Sequence, residues 1–232
     1  MCGRYTLTNP DPVKLRQRFL VGESAMEFEP RFNVAPTDAV PAVRRDDDGE
    51  RELGRLRWGL VPGRWAEKRS GRPLINARME SLSTQPAFAE SFRERRCLIP
   101  ADGFYEWRAD ELGKTPCWIT RSDGELFAFA GLWAALPARA SGDAGEMLHS
   151  CAIVTGPPNE LMRPIHDRMP VILHPSAEEA WLDPELAEAD LLDLLVPPES
   201  GLLEVREVAD LVNDVRNDDA RLVEPREAAQ LF

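Results

Sequence analysis

The strongest constraint on this chain is a succession of short apolar or alternating runs separated by turn-forming residues. In order they are "GRYTL", "AVPAV", "GRLRWGLV", "PLINA", "CLIPADGFYEWR", "PCWITR", "FAFAGLW", "SCAIVT", "PVIL" and "LLEVREV". Twenty prolines and fifteen glycines are spread among them rather than concentrated. Proline removes a backbone donor and glycine admits left-handed turns, so both cut regular elements short. Short runs with turn signals between them predict strands joined by hairpins. "DDDGE" (Asp46 to Glu50) reads as a solvated turn and "ARASGDAGE" (Ala138 to Glu146) as a longer hairpin loop. Helical patterns occupy "DPVKLRQRFL", "PAFAESFRERR", "SAEEAWLD", "PELAEADLLDLL" and "PREAAQLF", several opening on Pro or Ser. The expectation is one α+β domain over residues 1–232, with a curled, mostly antiparallel, barrel-like sheet and helices packed outside it. No repeat or linker divides the chain.

With 43% hydrophobic residues in 232, the chain has enough apolar surface for a packed core. No segment approaches the roughly 18 uninterrupted apolar residues of a membrane span, which predicts a cytoplasmic protein without a membrane partner. The four cysteines, Cys2, Cys97, Cys117 and Cys151, are scattered, and there are only three histidines. That spacing predicts neither a disulfide framework nor a zinc site. No metal and no small-molecule cofactor are expected.

A net charge of -12 argues against a nucleic-acid partner until its distribution is read. From residue 176 onward there are 16 acidic and 4 basic residues, so residues 1–175 balance. Between Arg51 and Arg108 there are 12 basic against 7 acidic residues, and a polyanion is expected to meet the chain there.

Five segments carry candidate chemistry. Cys2 stands one residue from the amino terminus, a place where chain ends fray and structural cysteines are poorly held. Loss of Met1 would leave Cys2 with a free amine and a thiol on adjacent carbons. In "PLINARMES" strand alternation puts Asn76 and Arg78 on one face, which suits either a solvated edge strand or a polar site. In "RCLIPADGFYEWR" it groups Phe104, Glu106 and Arg108 apart from Tyr105 and Trp107. A carboxyl between aromatics is partly desolvated and becomes usable for proton transfer near neutral pH. The alternative there is a surface pair between Glu106 and Arg108. Trp107 is a candidate base-stacking platform. In "MRPIHDRMPVIL" His166 is flanked by Arg163 and Arg168, although a lone histidine is more often structural than catalytic. "RWGLVPGRW" adds Trp58, which reads as core, and Trp65, which reads as a loop residue.

Taken in order, "MCGR", "RFNVAP", "RWGLVPGRW", "INARMES", "RCLIPADGFYEW", "FAFAGLW", "AIVT" and "IHDRMP" closely resemble the SOS-response-associated peptidase family, proteins that shield abasic sites in single-stranded DNA. The resemblance spans residues 1–173, and the acidic helical and strand part, 174–232, is what it explains least. "SAEEAWLD" and "VNDVRN" (Val212 to Asn217) are compatible with it. It implies removal of Met1, Cys2 as the covalent residue, and Asn76, Glu106 and His166 as its active-site companions. It further implies that Arg4, Arg78 and Arg168 hold phosphates and that Trp65 stacks on the strand. The loop Asn33 to Pro36 and Thr155 are implied to lie near the same cleft. Arg64 stands where some relatives have a second aromatic. The implied product is a thiazolidine linking Cys2 to the ring-opened abasic sugar, made by a monomer acting on single-stranded DNA. Two other readings remain open at this point: a cysteine peptidase, either general or confined to release of Met1, and a noncovalent single-strand binding module.

Overall fold

The computed structural model describes residues 2–23, 26–62, 74–111, 113–137 and 147–226. Its strands are β1 (Arg4–Leu7), β2 (Arg31–Val34), β3 (Ala39–Arg45), β4 (Arg51–Trp58), β5 (Asn76–Arg78), β6 (Arg96–Ala101), β7 (Gly103–Asp110), β8 (Gly113–Arg121), β9 (Phe127–Pro137), β10 (Met147–Gly156), β11 (Met169–Pro170), β12 (Ile172–Leu173) and β13 (Leu203–Glu207). The helices are α1 (Pro12–Phe19), α2 (Ala89–Glu94), α3 (Glu178–Leu182) and α4 (Glu188–Asp193).

One sheet has five strands in the order β13-β8-β7-β1-β2. In the larger sheet, β10 pairs with both β4 and β9, so the path β4-β3-β6-β9-β10 returns on itself. This closure is the expected barrel-like curl. The pairing is antiparallel except where β10 runs parallel to β4 and to β5.

Period-two alternation gives each strand of the larger sheet two different cores. Phe127 and Phe129 of β9, with Cys97, Ile99, Cys151 and Ile153, pack against Tyr5 and Phe104 of the smaller sheet. Their neighbours Ala128, Ala130, Leu132, Leu98, Ala152 and Val154 pack instead under the helices, with Leu15, Phe19, Phe92 and Trp181. The small alanines leave room for the bulky helix side chains, while the phenylalanines fill the space between sheets. A third cluster, Tyr105, Val208, Val212 and Leu222, covers the other face of the smaller sheet with the carboxy-terminal segment.

The helices fall within the expected segments. Asp11 caps α1 by accepting from the backbone N–H of Val13 and Lys14 at 2.8 and 3.0 Å, with Pro12 in the first turn. Of "PREAAQLF", residues 227–232 lie outside the described residues, as does 138–146. β2 is an element the alternation reading missed: Asn33 and Val34 end a strand instead of opening a loop.

A corner at Asp102 brings the site together. β6 and β7 are separated by this single residue, which carries the chain from the larger sheet to the smaller. The Asp102 carboxylate accepts from the hydroxyls of Thr6 and Thr8 at 2.6 and 2.7 Å. β1 is thereby locked beside β7 in a register that sets Arg4 opposite Tyr105. Cys2 enters immediately before that pair, next to Glu106.

Candidate functional site

Cys2 is fully buried in the core between the two sheets, and its thiol leans toward the Arg4 carbonyl at 3.8 Å. Asn76, the first residue of β5, donates from Nδ2 to the Cys2 carbonyl at 2.8 Å. β5 is itself held by Ile75, whose carbonyl accepts from the indole Nε1 of buried Trp58 at 2.9 Å. Trp58 is thus a core residue, as expected, and also a support for Asn76. The Asn76 Oδ1 is buried and has no hydrogen-bond partner among the described residues. A buried acceptor left in this condition is costly in isolation and suits a ligand that brings a donor.

Glu106 is 3% exposed, which excludes the surface pair with Arg108. Arg108 is instead paired with Glu207 of β13. Burial pushes the Glu106 carboxyl above its ordinary range, against the opposing positive charges of the amino terminus and His166. Burial, reinforced by Glu106, also pushes the Cys2 thiol well above its ordinary value.

His166 is half-buried and within Coulombic reach of Glu106. Its Nδ1 accepts the backbone N–H of Arg168 at 3.0 Å, an arrangement that puts the proton of the neutral ring on Nε2. The Asp167 carboxylate, 2.8 Å from the same Nδ1, becomes its partner when that nitrogen is protonated. Beyond it, Arg168 donates to the backbone carbonyl of buried Thr155 and to both carboxylate oxygens of Glu80. Arg78 is exposed beside this group, in register with Thr155 across β5 and β10.

The structure therefore gathers Cys2, Asn76, Glu106 and His166 in one place, with Thr155, Arg78 and Arg168 along an adjoining edge. Arg4, Asn33 and Trp107 form a second group, joined to the first only through neighbouring backbone. Arg4 donates from Nη1 to Asn33 Oδ1 and to the Val212 carbonyl, both at 2.9 Å. The buried Asn33 amide donates to the carbonyls of Val212, Asp214 and Asn217 at 3.3, 3.1 and 2.8 Å. Trp107 Nε1 donates to Asn213 Oδ1 at 2.7 Å. Pro36 lies beyond the end of β2, partly exposed. Trp65 and Arg64 lie outside the described residues.

Sequence reasoning missed the residues behind this second group. Segment 212–218 belongs to the acidic part of the chain, yet it supplies the acceptors for Arg4, Asn33 and Trp107. Asp218 accepts from the backbone N–H of Asn33 at 2.9 Å and also pairs with Arg31. Among the described residues, several of the basic side chains in 51–108 are paired or buried. Arg51 pairs with Glu179 and Arg108 with Glu207, while Arg93 lies 3.8 Å from Glu188. Arg96 is buried, donating to the carbonyls of Trp181 and Phe92 at 2.7 and 2.6 Å. Carboxylates of the acidic region thus face three of the basic residues of 51–108, Arg51, Arg93 and Arg108.

Among the described residues no group of His, Cys, Asp and Glu is arranged to hold a metal ion, and no helix is long and apolar enough to cross a membrane.

Comparison with known proteins gives the arrangement its context. The chain is 41% identical over 231 residues to the abasic site processing protein YoaM of Bacillus subtilis (strain 168), covering 97% of this chain and 98% of that one. It is 30% identical over 234 residues to the abasic site processing protein YedK of Escherichia coli (strain K12), covering 97% and 100%. A crystal structure of a Bordetella bronchiseptica protein superposes with a TM-score of 0.75 at 28% identity, covering 90% of this chain and 100% of that one. One from Bacteroides thetaiotaomicron reaches a TM-score of 0.84 at 24% identity, covering 97% and 100%, and shows the shared fold. The model of the SOS response associated peptidase (SRAP) family matches residues 1–215, and this chain belongs to that family.

Proposed function

We propose that this protein processes abasic sites by binding single-stranded DNA and closing a thiazolidine between Cys2, once Met1 is removed, and the ring-opened sugar. The observation that carries this reading is the position of Cys2: its carbonyl is fixed by Asn76 at 2.8 Å, and its thiol lies close enough to Glu106 to feel that charge. The names of the relatives support the substrate class. A residue at a chain end held this firmly, among polar groups otherwise rare in a core, suits a reactive rather than a structural cysteine.

The chemistry follows from the groups present. An α-amine has a reference pKa of about 7.7–8.0, so a useful fraction is free base at neutral pH. Its nitrogen adds to C1′ of the open-chain aldehyde, giving a carbinolamine. Glu106, whose protonated form burial favours, delivers a proton to the departing hydroxyl, and water leaves with formation of an iminium. The carboxylate so produced takes the proton of the Cys2 thiol as sulfur adds to the same carbon. The ring closes with net loss of one water. An iminium favours elimination and strand scission, and sulfur addition removes it. His166, whose neutral ring carries its proton on Nε2, is assigned to opening the sugar ring, and Asn76 to orienting the reacting atoms. Arg78, Arg168 and Arg4 hold the backbone on either side without reading sequence, with Trp65 and Trp107 as stacking surfaces. Asn33, Pro36 and Thr155 shape that cleft, Asn33 by fixing Arg4. The peptidase activity in the family's description enters as release of Met1, a single event that needs no groove for other peptides.

The test is incubation of the purified protein with a single strand carrying one abasic site, alongside an unrelated peptide. The expected result is a heat-stable protein–DNA adduct that disappears in Cys2→Ala and when the amino terminus is extended by a tag. Intact mass measurement is expected to show Met1 absent. Full crosslinking by protein that retains Met1 refutes the aminothiol scheme, and peptide cleavage without an adduct favours the peptidase reading.

A further inference from the structure

We infer that Glu80 is a specificity-determining residue, a carboxylate that occupies a phosphate's place on Arg168 and sets how weakly undamaged strands are held. The inference rests on the strand-binding reading above. Glu80 sits in the single 3-10 turn, Met79–Ser81, that follows β5, and Arg168 immediately precedes β11. Glu80 Oε1 faces Nη1 and Oε2 faces Nη2, the latter at 2.9 Å. Two parallel N–H···O bonds to one guanidinium are the geometry by which arginine takes a phosphodiester. The remaining donors of Arg168 point inward: Nη2 also reaches the Thr155 carbonyl, and Nε is buried with no partner among the described residues. The outward edge of the guanidinium is the edge that Glu80 covers.

Glu80 also serves Arg78. Its carboxyl is held below the ordinary carboxylate range chiefly by the hydrogen bond from Arg168, with a smaller pull from the Arg78 charge. One carboxylate therefore discounts both arginines beside the Cys2 site. The two members of the pair are unequally held: the Arg168 side chain is 14% exposed and that of Glu80 52%. The arginine is built in, and the glutamate is the partner that a phosphate can replace, since ion pairs open to solvent are weak.

An incoming strand must displace or approach this negative charge. Undamaged DNA meets that cost with no later gain, whereas an abasic strand is retained by the covalent bond. Weakening the reversible complex in this way sharpens discrimination without any contact to the lesion.

Glu80→Gln keeps the size and one acceptor while removing the charge. Fluorescence anisotropy with an undamaged single-stranded oligonucleotide is expected to show about 3- to 10-fold tighter binding at low salt, from the loss of one like charge beside a phosphate. The slope of log affinity against log salt should steepen by about 0.7, one additional uncompensated cation on a single strand. Undamaged competitor should then slow crosslinking at correspondingly lower concentration. Glu80→Ala is expected to move binding in the same direction, provided its melting curve matches that of the parent. Unchanged or weaker binding by both folded variants overturns the inference and makes Glu80 a support that positions Arg168. If the unmodified protein forms no adduct with abasic DNA, the crosslinking reading fails while the anisotropy comparison still decides the role of Glu80.

Discussion

Replacing Glu106 with Gln isolates the proton transfers from the packing of the site. Gln is nearly isosteric, keeps an acceptor oxygen, and cannot give up or take a proton in the range where the reaction runs. Positioned general acid–base catalysis contributes about 10²- to 10⁴-fold, and Glu106 is assigned two transfers in sequence. A loss of about 10²- to 10³-fold in the single-turnover rate of adduct formation is therefore expected, or about 3 to 4 kcal/mol of barrier. The same substitution has a predictable effect on stability. Burial raises the folded-state pKa of Glu106 above its reference value of 4.5. The stability contributed by the protonated carboxyl is present in full below that reference and is lost as pH rises through the raised folded value. Glu106→Gln does not ionise, so relative to the parent it should gain stability as pH rises from 4.5 toward neutrality and show no gain below it. Rapid-quench gels with an abasic oligonucleotide give the rate, and denaturant melts at several pH values give the stability. A variant that loses stability and rate together at every pH refutes the reasoning, because Glu106 would then be a structural residue whose loss disorders Cys2.

Asn213→Ala removes the acceptor that holds the Trp107 indole at 2.7 Å, and a net hydrogen bond of about 0.5–1.5 kcal/mol predicts roughly 2- to 10-fold weaker strand binding. Asn213→Asp should restore it, and in a Trp107→Phe background the Ala substitution should have no further effect. Gly131 lies on β9 where an added Cβ would come 2.7 Å from the Cys97 sulfur and 3.0 Å from Ile99 Cδ1, in the core between sheets. Gly131→Ala is expected to lower unfolding free energy by about 1–3 kcal/mol, measured by denaturant melts, and an unchanged midpoint would show that this core has slack.

The parts of this molecule that were legible in the sequence are those governed by neighbours along the chain. Alternation in "GFYEW" correctly separated Phe104 and Glu106 from Tyr105 and Trp107, because strand geometry assigns faces two residues at a time. It also placed nearly every strand. β2 escaped because "RFNV" is four residues long and ends against a turn, too short for a period to register. The supports of the site escaped for a different reason. Asn213 meets Trp107 across 106 positions, and Arg108 meets Glu207 across 99. A side chain satisfied by a distant backbone carbonyl, as Asn33 is by Val212, leaves no local mark, so nothing local announced that residues 212–218 strap the smaller sheet. The charge count was silent for the same reason on which carboxylates fold back onto residues 51–108, as Glu179 does onto Arg51 and Glu207 onto Arg108.

Under the proposed crosslinking scheme, the burial of Cys2 dictates the order in which its two bonds would form. A thiol enclosed in the core, raised further by the Glu106 charge, stays protonated at neutral pH and is a poor first nucleophile. In that scheme the amine freed on the same residue by loss of Met1, with a reference pKa of about 7.7–8.0, attacks first. Sulfur follows only after two changes that the first step itself produces: the carbon has become an iminium, and Glu106 has become a carboxylate beside the thiol. The carboxyl must hold a proton while nitrogen adds and lack one while sulfur adds. A glutamate of ordinary pKa would have no proton to give at neutral pH, and one that never ionised could not take the second. Burial raises the Glu106 carboxyl above its ordinary range, which in the proposed scheme favours the protonated form that the first transfer needs. Asn76 fixes the Cys2 carbonyl, and in the proposed scheme that contact would keep nitrogen and sulfur facing the same carbon between the two steps.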